Sequence, residues 1–146
     1  MGAVGGQIGY WLLRKVGTQG RSTHHGEGLD AVDTNLEQTF GEGFFDMIRG
    51  KTALDFGCGA GAQAVEMARM GAVRVIGLDI QPHRLAKAAQ LARQHSVSDR
   101  CKFVTTTDEL VDIIISKDAF EHFADPAAIL RRMSELLMSA RYGIRH

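Results

Sequence analysis

The pattern of apolar and polar residues predicts an α/β domain that begins after residue 50. Short apolar runs are typical of buried strands, and four such runs occur, at residues 51–56, 73–80, 101–107 and 111–116. Helical apolar periods separate or follow these runs, at residues 60–70, 82–95 and 125–138. Because helices connect most of the strands, the order predicts parallel strands with right-handed crossovers. We therefore predict a Rossmann-like, doubly wound parallel sheet of about four strands.

The residues just before the first strand predict a helical extension. Thr34 and Glu37 have the spacing of a capping box. Apolar residues follow at helical intervals, namely Leu36, Phe40, Phe44 and Ile48. One helix over residues 35–48 is therefore predicted, weakened in its middle by Gly41 and Gly43. Upstream of it, glycine and short polar residues predict a flexible N-terminal arm over residues 1–30.

Composition and charge narrow the classes of partner. Lys plus Arg and Asp plus Glu number 17 each, so no single-sign field favours nucleic acid or an anionic membrane. No stretch approaches the roughly 18 apolar residues of a membrane span. The two cysteines have neither disulfide nor metal-ligand spacing. We therefore predict a cytoplasmic protein that binds a small molecule, with no metal, no nucleic acid and no membrane.

The stretch "LDFGCGAGAQ", residues 54–63, is the strongest candidate for chemistry. It places three glycines, Gly57, Gly59 and Gly61, between the first strand and the helix after it. Glycines let a backbone approach a ligand closely, and a helix that starts there offers unpaired N–H groups. In a doubly wound sheet such a loop lies at the carboxyl ends of the strands, where ligands bind. The loop is therefore predicted to hold a cofactor.

Two cofactor classes agree with the spacing of this loop. A dinucleotide of the NAD(P) or FAD type fits Gly57, Gly59 and Ala62, with Asp79 as the ribose ligand. Asp55 argues against it, because a carboxylate beside bound phosphates repels them. S-adenosylmethionine has no phosphate and carries an amino group and a sulfonium, so an acid at the loop entrance suits it. The sequence alone leaves both classes open and favours the second.

Three ordered motifs resemble those of class I S-adenosylmethionine-dependent methyltransferases. They are "DFGCGAG", "GLDI" and "VDIIISKDAFEHFADP", the last being similar to a motif of the small-molecule branch. The resemblance covers roughly residues 51–137 and implies S-adenosylmethionine as cofactor and a small-molecule methyl acceptor. It also implies that residues 31–146 are the N-terminal, cofactor-binding part of a methyltransferase domain.

The resemblance also implies a role for individual residues. A first set would form the cofactor loop, namely Asp55, Gly57, Cys58, Gly59 and Gly61. A second set would contact the ribose and adenine, namely Asp79, Ile80 and Asp108. Two residues at the end of the fourth strand would lie beside the methionine part, namely Ser116 and Lys117. Glu121 and His122 follow, and His122 is the residue to which a catalytic proton transfer is assigned.

The family pattern usually continues with three more strands, whereas this chain ends at His146. We therefore predict an incomplete sheet whose fourth strand is an edge, and edges of apolar strands favour dimers or aggregates. The chain is interpreted as C-terminally truncated, so that transfer activity is expected to be reduced or absent. Two alternatives stay open: an oxidoreductase fragment that binds NAD(P) or FAD, and a non-catalytic module that binds a nucleoside or another protein.

Overall fold

The computed structural model describes residues 34–116 and 124–137. Five helices lie in this part of the chain: α1 Leu36–Phe40, α2 Phe44–Ile48, α3 Ala62–Arg69, α4 Pro82–Gln94 and α5 Pro126–Leu136. Four strands alternate with them: β1 Thr52–Phe56, β2 Arg74–Leu78, β3 Cys101–Val104 and β4 Ile113–Ile115. The arm predicted over residues 1–30 lies outside the described residues.

The four strands form one parallel sheet in the order β3-β2-β1-β4. β1 lies in the middle, where Asp55 is paired with Gly77 of β2 on one side and with Ile115 of β4 on the other. The chain runs outward from β1 to β3 and then returns to β4, so the order reverses beside β1. This confirms the doubly wound sheet and places its switch point at the end of β1.

Helices cover both faces of the sheet. Successive residues of a strand point to opposite faces, so neighbouring residues belong to different cores. Ala53 belongs to the core beneath α1 to α4, and Leu54 belongs to the core beneath α5. The first core is built on four large side chains of the helical extension, namely Leu36, Phe40, Phe44 and Ile48. The longest described helix, α4, has 13 residues, and no helix within residues 34–116 and 124–137 is long and apolar enough to span a membrane.

The single helix predicted over residues 35–48 is wrong, because the structure has two short helices there. The backbone of Gly41 has φ 106° and that of Gly43 has φ 83°, values outside the helical range. The capping box is also absent. Thr34 donates from its backbone N–H to the buried carboxylate of Glu66, at 2.8 Å, and from its hydroxyl to the same oxygen. Thr34 therefore ties the extension to α3.

The outer edge of β4 is partly covered in the structure. Val111 pairs in parallel with Leu137, the residue that follows α5, and its backbone N–H donates to the carbonyl oxygen of Leu136 at 2.9 Å. Ile113–Ile115 has no strand on this side among the described residues. The prediction of β4 as an edge strand is thus confirmed for the described sheet, and a dimer through that edge stays a prediction.

Candidate functional site

The glycine loop of residues 57–61 is a turn closed against the end of β2. The backbone N–H groups of Gly57 and Cys58 both donate to the carbonyl oxygen of Leu78, at 2.8 and 2.9 Å. Gly57, Gly59 and Gly61 all have positive φ, at 77°, 56° and 88°, where residues other than glycine are strained. The turn therefore depends on its glycines, as the sequence predicts.

Two of these glycines face different surroundings. A Cβ added to Gly61 would lie 2.5 Å from the Cβ of Ala88 on α4, so the absence of a side chain lets α3 begin against α4. A Cβ added to Gly59 would have no atom within 4 Å among the described residues. Gly61 therefore serves the packing of two helices, whereas Gly59 borders open space where a ligand could approach the backbone.

Asp79, which directly follows β2, binds the backbone of this loop. Its carboxylate accepts hydrogen bonds from the backbone N–H of Gly59 at 3.0 Å and of Gln81 at 2.9 Å. Each carboxylate oxygen can accept more than one hydrogen bond, so both retain capacity for ligand hydroxyls. The next residue, Ile80, is 83% exposed and offers an apolar side chain next to Asp79.

Asp55 lies at the end of β1 on the side of the sheet that α3 covers. Its side chain is 1% exposed, and neither carboxylate oxygen has a hydrogen-bond partner among the described residues. Burial, and secondly the negative charge of Asp79, raise the pKa of the Asp55 carboxyl to about 7. A buried acid without a partner is costly, and a ligand cation would supply the missing partner.

Cys58 contributes its backbone to the turn and has an unreactive thiol. Burial raises the pKa of the Cys58 thiol, and the charges of Asp55 and Asp79 raise it further. A thiolate is the reactive form of cysteine, so this position is suited to packing and unsuited to nucleophilic catalysis.

Gly77 is a residue of this region that reasoning from the sequence missed. A Cβ added to it would lie 2.5 Å from the Phe103 ring and 2.9 Å from the Cys58 sulfur. Glycine at this point of β2 therefore lets the loop and β3 pack closely. A signal was present, since an isolated glycine inside a strand often marks a close approach of other atoms.

Ser116 joins the ends of β1 and β4 beside the loop. Its buried hydroxyl donates to the carbonyl oxygen of Phe56 at 3.1 Å. The structure thus brings Asp55, the glycines, Asp79 and Ser116 together at the carboxyl ends of the strands. Lys117, Glu121 and His122 lie outside the described residues, and the roles assigned to Lys117 and His122 stay predictions.

Asp108 is not brought to this loop. Its side chain is 94% exposed and binds Arg132 of α5 at 2.6 Å. The neighbouring Glu109 binds Arg74 and Lys102, each at 2.8 Å, and these cations stand in the amino-terminal halves of β2 and β3. The short link from β3 to β4 therefore carries Asp108 toward the opposite edge of the sheet.

A substitution can test whether Asp108 contacts the adenine. In Asp108→Ala we expect the affinity for S-adenosylhomocysteine, measured by calorimetry, to stay within about threefold, because an exposed ion pair contributes little. Glu135→Ala is the matched control, since Glu135 is the other carboxylate bound to Arg132. A tenfold or larger loss in Asp108→Ala alone would show that this carboxylate contacts the ligand.

Comparison with known proteins identifies a family whose model matches most of this chain. The family model described as "Methyltransferase domain" matches residues 48–142, which is more than half of the 146 residues. The match begins just before β1 and includes the glycine loop, Asp79 and the end of β4.

Curated relatives match a part of the chain. The ribosomal protein L11 methyltransferase of Serratia proteamaculans is 32% identical over 90 residues, which are 62% of this chain and 30% of that protein. The protein of the same name from Tolumonas auensis is 39% identical over 62 residues, which are 42% of this chain and 21% of that protein. The chain therefore spans less than a third of the length of either relative.

Solved structures share the fold at lower identity. A methyltransferase from Thiobacillus denitrificans, crystallised with S-adenosyl-L-homocysteine, has a TM-score of 0.54 at 23% identity and covers 61% of this chain and 38% of its own. The YcgJ protein of Bacillus subtilis has a TM-score of 0.57 at 24% identity, with coverage of 64% and 43%. The [4+2]-cyclase SpnF is equally similar, with a TM-score of 0.57 at 23% identity and coverage of 64% and 39%. The fold alone therefore does not specify the reaction.

Proposed function

We propose that the glycine loop binds S-adenosylmethionine, the methyl donor, for transfer of its methyl group to a small-molecule acceptor. The reason is that this chain belongs to the family of class I S-adenosylmethionine-dependent methyltransferases. The observation that carries the proposal is the buried carboxylate of Asp55, which has no partner among the described residues. It lies beside a loop whose glycines allow a ligand close to the backbone. A ligand with a cationic end and no phosphate is the class that this combination fits.

The described residues fit the parts of S-adenosylmethionine. The Asp79 carboxylate, already oriented by the N–H groups of Gly59 and Gln81, would accept the ribose hydroxyls. The exposed Ile80 would pack against the adenine, and Asp55 would bind the amino group of the methionine part. Ser116 and Lys117 are proposed beside that same part, at the end of β4.

The bound donor supplies an electrophilic methyl group on a sulfonium, and the protein positions it. Binding of donor and acceptor in line, with water excluded, accounts for most of the acceleration in such a transfer. Asp79 would hold the ribose and Asp55 the amino group of the methionine part, so the orientation of the donor would be set by groups at the ends of β2 and β1. His122 is proposed to take the proton of the acceptor, a role for general base catalysis.

The oxidoreductase alternative fits this site less well. A dinucleotide would place its phosphates near Asp55, and the ionised form of this carboxylate would repel them. The repulsion would oppose binding. We therefore expect NADH to bind weakly or not at all.

Two classes of methyl acceptor are each supported by a different observation. The "EHFADP" stretch resembles the small-molecule branch of the family, and on it we base the small-molecule acceptor. The relatives named ribosomal protein L11 methyltransferase favour a protein acceptor as the second candidate. Their match covers less than a third of their length, so we keep the protein acceptor as the second candidate.

The proposal is tested by calorimetric titration of the full chain with S-adenosylhomocysteine and, separately, with NADH. We expect micromolar binding of the first ligand and none of the second. Binding of NADH alone, or of neither ligand to a chain that melts cooperatively, would contradict the proposal. Radiolabelled transfer to purified L11, compared with a panel of small amines, thiols and phenols, would then separate the two acceptor classes.

A further inference from the structure

We infer that Asp55 couples the binding of an ammonium-bearing ligand to the release of a proton. In the free chain at acidic pH Asp55 is held as a neutral acid, and in the complex it is the carboxylate partner of the ligand's ammonium. The inference rests on the proposed function, because it concerns the same loop. It goes beyond that function by making the affinity depend on pH and on the charge of the ligand.

No hydrogen-bond donor among the described residues stabilises a negative charge on the Asp55 carboxylate. The residue is paired through its backbone between Gly77 and Ile115 in the middle of the sheet. Its side chain is 1% exposed, and both carboxylate oxygens lack a hydrogen-bond partner. An ionised carboxylate at such a place is strongly disfavoured, and the acid form is the usual solution.

Among the groups on the neighbouring elements, one charge adds to this effect. Asp79, from the end of β2, is the nearby charge that raises the pKa of Asp55 further, and the combined effect brings that pKa to about 7. From the loop, the Cys58 thiol has a raised pKa and stays neutral. From β4, Ser116 offers a hydroxyl that already donates to Phe56. On α3, the acid is Glu66, whose carboxylate accepts from Thr34.

None of these described groups supplies a positive charge, and in our proposal the ligand supplies it. An ammonium placed beside Asp55 favours the ionised form and lowers its pKa, and the displaced proton passes to the solvent. The number of protons released per ligand bound equals the fraction of free chains in which Asp55 is protonated. That number is close to one at pH 6 and about one half at pH 7. The apparent affinity should therefore fall about tenfold from pH 8 to pH 6.

The test is a titration of the full chain with S-adenosylhomocysteine in two buffers of different ionisation enthalpy, at pH 6, 7 and 8. We expect the observed enthalpy to depend on the buffer at pH 6 and to become nearly independent of it at pH 8. We also expect 5′-methylthioadenosine, which lacks the ammonium, to release no proton and to bind no more weakly at pH 6 than at pH 8.

Two variants assign the proton to its residue. In Asp55→Asn, proton release and the tenfold pH dependence should disappear. Asp112→Asn is the matched control, since Asp112 accepts from the N–H of Thr52 at the other end of the same strand pair, and it should release protons as the parent does. Because Asp55→Asn could fail to fold, the comparison of the two ligands on the unmodified chain provides an independent test.

The outcomes separate the inference from the proposed function. Binding of S-adenosylhomocysteine with no proton release at pH 6, or release that persists in a folded Asp55→Asn chain, would overturn the inference and leave the proposed function standing. No binding of S-adenosylhomocysteine at any of the three pH values would overturn both.

Discussion

Gly61→Ala is expected to destabilise the domain by about 2–5 kcal/mol, the sum of an overpacked contact and a strained backbone. The added methyl group would lie 2.5 Å from the Cβ of Ala88 and 2.9 Å from its Cα. Relief requires α3 or α4 to move, because one of these atoms is backbone. At φ 88° an alanine would also be strained even if the helices moved apart.

Gly59→Ala is the matched control for this prediction. Its backbone has a similar positive φ of 56°, but an added Cβ would meet no atom of the described residues within 4 Å. Its cost should be the backbone strain alone, about 1–2 kcal/mol. Urea unfolding measures both variants, and a midpoint lowered equally in the two would show that the approach of α4 contributes nothing. The difference between them reports the contact with Ala88.

Asp79→Ala is expected to lower the affinity for S-adenosylhomocysteine at least a hundredfold. The carboxylate makes two charge-assisted hydrogen bonds that shape the loop, to the N–H groups of Gly59 and Gln81, and it would accept the ligand's hydroxyls. Hydrogen bonds to a charged group contribute about 1.5–3 kcal/mol each, and two of them correspond to a hundredfold or more in the dissociation constant.

The control for Asp79→Ala removes an acid of the same size elsewhere. Asp99 is exposed in the turn before β3, so Asp99→Ala should leave the affinity within about threefold. Calorimetry of both variants, with a melt to show that each is folded, completes the comparison. A folded Asp79→Ala chain that binds the ligand within threefold of the parent would exclude Asp79 as a binding residue.

The stability of the free chain should depend on pH through Asp55. The pKa of this carboxyl is raised in the folded state to about 7 from an ordinary value of 3.8, so the folded state binds the proton more tightly than the unfolded state. The contribution of Asp55 to the free energy of unfolding is therefore greatest below about pH 4 and falls as the pH rises to about 7. Removing Asp79 should lower this pKa, because its charge is the second cause of the shift.

Much of the site was predictable from local sequence. Glycines at alternate positions after a β-rich run predict a turn with positive φ, because few other residues adopt that backbone without strain. The order of the strands follows from their helical connections, which permit only a few arrangements of a parallel sheet. Asp55 and Asp79 could be assigned to the carboxyl edge for the same reason, since each directly follows or ends an apolar run.

Other features depend on contacts between distant segments. Thr34 has the spacing of a capping box, yet its hydroxyl binds Glu66, because the extension packs against α3 and offers a buried carboxylate instead. Asp108 follows β3 by a few residues, yet it binds Arg132, because the link to β4 is too short to stay at the carboxyl edge. No local pattern indicates either partner.

The fold class, the glycine turn and the identity of the acids at the loop thus follow from the sequence alone, since these features depend on backbone preference and on strand order. The tertiary structure decided which of those acids has partners. Asp79 is held by two N–H groups, whereas Asp55, buried between β2 and β4, has none among the described residues. Burial and hydrogen bonding are properties of the assembled sheet, and they place two similar carboxylates in different surroundings.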